Sequence, residues 1–134
     1  MTGELDLSIL LRSLSAKLDD GVYVFVTVSE GVLPASVKPR MMFEEAEGTT
    51  LILLQEEAEA AQLDYEFPCR MITLNVHSSL EAVGFIARVA TELAKHNMGV
   101  NPVSGFYHDH LFVPDGRESE AMEVLAKLAR GEES

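Results

Sequence analysis

The stretch FYHDHLFVP, residues 106–114, sets two histidines around an aspartate and follows them with an apolar run. Imidazoles one residue apart have the spacing of a small metal site, and an adjacent His and Asp can share a proton. In a strand, side chains alternate, so His108 and His110 would face one way and Asp109 the other. A metal would need a third ligand from His77, His96 or an acid elsewhere, since the chain has no second H-x-H and no Cys pair. The expectation is that no metal is held here and no cofactor is used. A metal-dependent enzyme using His108 and His110 is the weakest of the alternatives.

A second candidate is the turn from Ser78 to Gly84. Ser78 with Glu81 three residues on has the form of a capping box, in which the hydroxyl takes one helix amide and the glutamate reaches back. Free backbone amides at such a helix start can hold a carboxylate. Capping alone would use some of those donors, and both roles are compatible. Cys69 lies in the apolar run FPCRM and reads as a buried structural thiol, because nothing near it in sequence would lower its pKa. His96, near a helix end, has a sufficient explanation in the helix dipole. There is no G-x-S-x-G, P-loop, G-x-G-x-x-G or HExxH, so no recognised catalytic pattern stands in the chain.

The elements that must position these residues follow from periodicity. Leu5, Leu7, Leu10, Leu11, Leu14 and Leu18 predict an amphipathic helix over 4–18, stopped by Asp19-Asp20-Gly21. VYVFVTV at 22–28 predicts a buried strand. MMFEEAE (41–47) and TTLILLQ (49–55) predict a hairpin around Gly48, and EEAEAAQL (56–63) a short acidic helix. YEFPCRMITLNV (65–76) is a strand whose Pro68 marks an edge or bulge. A helix follows the Ser78 turn, with an apolar stripe of Leu80, Val83, Ala87, Ala90, Leu93 and Ala94. MGVNPVSG (98–105) and YHDHLFVP (107–114) are strands, and SEAMEVLAKLA (119–129) is the last helix. Apolar strands lead into acidic helices at both 51–63 and 111–125, a faint internal repeat. The predicted fold is α+β, with helices packed on mainly antiparallel sheets.

Composition narrows the function. The chain has 134 residues, 47% hydrophobic and 24% charged, and 22 acidic against 10 basic side chains give a formal charge of −12. Such a charge repels phosphate backbones and anionic lipid, so neither nucleic acid nor membrane is an expected partner. A single cysteine permits no internal disulfide, which suits a reducing cytoplasm, and no run has the length of a membrane span.

The run RMITLNVHSSLEAVGFIARVATELAKHNMGVNPVSGFYHDHLFVP resembles an ACT domain. Its matching features are a strand ending in a polar turn, a helix opening with Val83-Gly84-Phe85-Ile86-Ala87, and a Lys-His-Asn-Met-Gly turn into a second strand. The whole chain is similar to bacterial stand-alone tandem ACT-like proteins, and MFEEAEGTTLILLQEEAEAAQLDYEFPCRMITLNV resembles part of the eukaryotic cytosolic arginine sensors. The resemblance implies ferredoxin-like βαββαβ units, residues 1–69 forming a degenerate or permuted N-terminal unit and 70–134 a C-terminal one. It also implies a non-catalytic sensor or regulator of an amino acid. The ligand would lie against His77, Ser78, Val83 and Gly84, with Gly99, Val100 and Asn101 from the next strand. Asp109 would meet an ammonium or guanidinium group, as an aspartate in a comparable F-x-x-D-H setting does in the arginine sensors. Many ACT domains carry an acidic residue and a glycine in the turn after the first strand, whereas this chain has His77-Ser78-Ser79. A homodimer is expected, with 70–130 supplying most of the contact. The alternative is a protein–protein adaptor of the same fold that binds no metabolite.

Overall fold

The computed structural model describes residues 6–29, 33–76, 79 and 81–132. Along the chain run α1 (Leu7–Arg12), β1 (Ala16–Val28), β2 (Met41–Glu44), β3 (Thr49–Leu54), α2 (Gln55–Ala60) and β4 (Glu66–Leu74). They are followed by α3 (Phe85–Ala94), β5 (Asn101–Ser104), β6 (Asp109–Pro114) and α4 (Glu118–Ala129). The chain divides into two compact units, one of residues 1–20 with 70–134 and the other of 21–69. β1 and β4 each run from one unit into the other. Each unit is an antiparallel sheet with helices, the α+β ferredoxin-like arrangement expected of the sequence.

In the unit of 21–69 the strands lie in the order β2-β3-β1. Both pairings are antiparallel, with Val24 opposite Leu53, Val26 opposite Leu51, and Met42 opposite Leu51. Period-two alternation turns Val24, Val26, Leu51 and Leu53 to one face, where they close on Ala58 of α2 and on Val37. A three-way polar contact pins α2: Gln55 Nε2 donates to the Tyr65 hydroxyl at 2.9 Å, and that hydroxyl donates to Glu59 at 3.0 Å. Phe67 has φ 57, so the backbone breaks its extended course just before Pro68, in keeping with a bulge there.

The larger unit holds α1, the start of β1, the rest of β4, and everything after it. β6 lies between β4 and β5. One core gathers Leu10 and Leu14, Ile72 and Leu74 of β4, Phe85, Val89 and Leu93 of α3, Leu111 and Val113 of β6, and Val124, Leu125 and Leu128 of α4. Asp6 caps α1 by accepting from the Ile9 amide at 3.2 Å.

Two elements begin elsewhere than the sequence predicts. The first helix ends at Arg12, and β1 starts at Ala16 and runs through Asp19-Asp20-Gly21. A leucine spacing of four fits a helix, but it is also even, so Leu14, Ala16 and Leu18 share one face of an extended chain and pack on the core. Backbone partners decide between the two, since Asn75 N–H donates to Ser15 O at 2.7 Å. Likewise α3 starts at Phe85, not near Ser78. Gly84 has φ 93, a left-handed conformation that a right-handed helix cannot run through. The later start rotates the buried stripe to Phe85, Val89, Glu92 and Leu93, while Val83 is 84% exposed and Ala87 lies outside.

Gly48 closes the β2–β3 hairpin with φ 155, and a Cβ there would stand 2.8 Å from Val28 O and 3.0 Å from Thr27 Oγ1. Gly48→Ala is expected to lower the unfolding free energy by about 1–3 kcal/mol, the scale of a strained backbone position. Urea denaturation measures this, and an unchanged midpoint would refute the close approach.

Candidate functional site

One end of the larger unit is built from the close of β4, the turn that follows, the start of α3 and the head of β6. The pairing is direct at this end, where Thr73 Oγ1 lies 3.0 Å from His110 Nδ1. Two expected site residues, His77 and Ser78, lie outside the described residues. In the turn itself Ser79 takes the capping role: its hydroxyl accepts from Glu81 N–H at 3.1 Å and its carbonyl from Ala82 N–H at 2.9 Å. Gly84 is the N-cap of α3, and its carbonyl accepts from Arg88 N–H at 2.9 Å. No N-cap side chain covers the first-turn amides. A Cβ at Gly84 would meet only Leu7 Cδ2, at an ordinary 3.5 Å, so positive φ and not a close approach demands the glycine.

Asp109 opens β6 and is 6% exposed, one of the few buried polar residues. It shares a sheet face with Leu111 and Val113, whose side chains enter the helix-covered core. Its Oδ1 accepts from Ser104 Oγ at 2.6 Å across the hairpin. A carboxyl group in that position is oriented before any ligand arrives.

The other expected residues lie at the opposite end. β5 and β6 are antiparallel with Ser104 opposite Asp109 and Asn101 opposite Phe112, so Asn101 sits three residues along the hairpin from the Asp109 row. At about 3.3 Å per residue that is roughly 10 Å. Gly99 is exposed with open space around it, and Val100 packs half-buried on the core. Within one larger unit, therefore, Val83, Gly84 and Asp109 share an end, and Gly99, Val100 and Asn101 do not join them.

His108 does not alternate with His110 as a strand residue, because β6 starts one residue after it, leaving His108 in the hairpin turn. Among the described residues no three His, Cys, Asp or Glu side chains gather closely enough to hold a metal ion. A cleft of about 290 Å³ opens between the start of β1 and α4, against Leu14, Ser15, Met122 and Leu125. Its lining carries no ionisable side chain. Cys69 is fully buried, with Sγ 3.3 Å from Tyr23 O as its acceptor.

Charged contacts on α3 and α4 escaped the sequence reading. Glu92 is 2% exposed on the buried face of α3, with Lys95 Nζ at 2.8 Å and Arg88 Nε at 3.9 Å. The signal was present as basic residues four before and three after the glutamate. At the far end of α3, Arg117 donates to the carbonyls of His96 (2.9 Å) and Asn97 (3.3 Å) and to Glu120 at 2.6 Å. Glu120 also lies 3.2 Å from His96 Nδ1. The Arg117 hydrogen bond, then its charge, with a smaller contribution from His96, holds the Glu120 carboxyl below the ordinary 4.5. Glu118 is lowered too, by its own backbone amide first and then by Gly116 N–H and the Arg70 charge.

Two expectations come from this geometry. Glutamine at both His108 and His110 should leave the protein folded, at a loss of about 0.5–1.5 kcal/mol for the bond to Thr73. Tag-free protein should carry no stoichiometric zinc or nickel, and near-equimolar metal lost on that double substitution would overturn this. Because the folded Glu120 pKa is depressed, its stabilising contribution is complete above 4.5 and is lost as pH falls below it. Glu120→Gln should flatten the acid limb of a stability–pH profile, and superimposable limbs would exclude the Arg117 contact as its cause.

Comparison with known proteins gives a consistent set of relatives. Two family models, each described as an ACT domain, match residues 2–70 and 66–127. A crystal structure from Vibrio cholerae, described as a protein of unknown function and possible transport protein, is 43% identical. It covers 92% of this chain and 95% of its own, with a TM-score of 0.83. An Agrobacterium tumefaciens protein matches at 17% identity over 87% of this chain and 89% of its own, TM-score 0.75. The regulatory subunit of aspartate kinase from Thermus flavus matches at 9% identity over 85% and 96%, TM-score 0.60. No curated protein matches. No helix among the described residues is long and apolar enough to cross a membrane.

Proposed function

This chain belongs to the ACT-domain family, and we propose that it is a non-catalytic, cytoplasmic regulatory protein that binds an amino acid and acts as a homodimer. The observation that carries the reading is the pair of ACT matches spanning 2–70 and 66–127, in a chain whose sequence offers no catalytic pattern. The aspartate kinase regulatory subunit among its structural neighbours is named as regulatory, and the fold is shared with it.

The ligand is placed at the α3 start of the larger unit. The first-turn amides of α3, uncovered by any N-cap side chain, would take an α-carboxylate, helped by the positive end of the helix dipole. Asp109, held by Ser104 at the same end of the sheet, would meet a cationic group through charge-assisted hydrogen bonds. Val83 and Gly84 would flank the ligand, and His77 and Ser78 precede them in the same turn. Gly99, Val100 and Asn101, at the other end of the unit, would take part only from a second copy.

A thermal-shift screen over the twenty amino acids tests the reading. At least one should raise the melting temperature, and a flat response across all twenty would favour the adaptor alternative. With a cationic ligand in hand, Asp109→Asn should weaken binding by about 1.5–3 kcal/mol, the scale of a hydrogen bond to a charged group, and a neutral ligand much less. Gly84→Asn keeps a residue tolerant of left-handed φ while adding a side chain beside the amides, so it should remove binding and retain the fold. Unchanged affinity in both variants would move the site elsewhere.

A further inference from the structure

We infer that the outer edge of β2 is a pairing surface for a second copy of this chain, joined strand to strand about a two-fold axis at Met42. The inference rests on the homodimer reading and names the surface that makes it.

Among the described residues β2 pairs with β3 alone. Its outward-facing backbone groups can be identified from the hairpin turn. Glu45 N–H donates to Gly48 O at 3.0 Å and Gly48 N–H to Glu45 O at 3.3 Å, a doubly bonded pair. Such pairs recur every second residue of an antiparallel ladder, so Phe43 with Thr50 and Met41 with Ile52 are the next. Met42 and Glu44 are left with their N–H and C=O directed away from β3. An edge of this kind is a template for another strand unless something blocks it.

The related edge is blocked. β5 and β6 repeat the β2–β3 register sixty positions on, Met41 to Glu44 corresponding to Asn101 to Ser104. There Gly105 N–H donates to His108 O at 2.9 Å, so Pro102 and Ser104 face outward. Pro102 takes the place of Met42 and has no N–H to give. The contact is therefore assigned to β2 and not to the 70–130 segment.

The chemistry of β2 suits a copy of itself. Met42 and Phe43 are 55% and 63% exposed, adjacent on the strand and turned to opposite faces of the sheet. Lys38 and Arg40 precede the strand, and Glu44, Glu45 and Glu47 end and follow it. An antiparallel partner centred on Met42 brings the basic end of each copy against the acidic end of the other. Such a match is self-complementary, as a two-fold contact requires, and it offsets the repulsion between two chains of charge −12. Tyr23 steadies the basic end, with the Arg40 guanidinium carbon 5.2 Å from its ring centroid and Nη2 2.5 Å from its hydroxyl.

Sedimentation velocity on the whole chain at micromolar concentration tests this. Wild type should sediment at twice the 14.7 kDa of one chain, and Met42→Pro at 14.7 kDa with an unchanged circular dichroism spectrum. Proline is tolerated there because the lost N–H points away from β3. Glu44→Arg, which sets like charges together, should weaken the dimer at least tenfold. Wild type at the mass of one chain would overturn both this inference and the homodimer reading. A dimer that survives a folded Met42→Pro would overturn only the assignment to β2. Should Met42→Pro not fold, Glu44→Arg decides, and a dimer of undiminished strength in it overturns the assignment.

Discussion

The register of two hairpins is the constraint on which the rest of this structure depends. In each, a four-residue turn closes on a backbone bond, Glu45 to Gly48 in one and Gly105 to His108 in the other, and every later pair follows from it. A slip of one residue would send Leu51 and Leu53, or Leu111 and Val113, out of the cores they help to fill. It would also carry Asp109 off the helix-covered face and away from Ser104. Core, edge and candidate site are thus set by the same few bonds. The turns that set them are chemically unlike: Glu45-Ala46-Glu47-Gly48 is acidic, and Gly105-Phe106-Tyr107-His108 is aromatic.

Much of the fold was legible in the sequence, because strongly alternating runs admit one reading. Thr49–Leu54 and Asp109–Pro114 each place β-branched or large apolar residues where a half-buried strand needs them, and the acidic, alanine-containing helices after them are equally plain. The N-terminus was ambiguous for a physical reason. A spacing of four satisfies helix and strand alike, and the decision fell to a partner strand far away in sequence. The start of α3 was misread because a favourable cap pattern at Ser78 and Glu81 preceded Gly84, whose left-handed φ sets the boundary. Local chemistry proposed one start, and backbone geometry imposed another.

The candidate site was legible residue by residue and not as a constellation. Sequence distance brings Gly99, Val100 and Asn101 near Asp109, and antiparallel pairing then separates them to the two ends of one hairpin. The buried Glu92 was hidden differently. A charged residue on a predicted helix is read as solvent-facing by default, and only the basic residues either side reveal that its charge is met.

Helix α3 is secured unequally at its two ends. Its last carbonyls are clasped by Arg117, which reaches across from the start of α4, while its first turn rests on a glycine with no capping side chain. Opening of the helix will therefore proceed from the front, and its amides will exchange with solvent deuterium along a gradient that rises toward Phe85. A small anion seated on the first turn would act where protection is lowest. Its binding energy would then appear as slowed exchange through the helix as well as in direct contacts, a means by which a fold with little moving structure can still report that it is occupied.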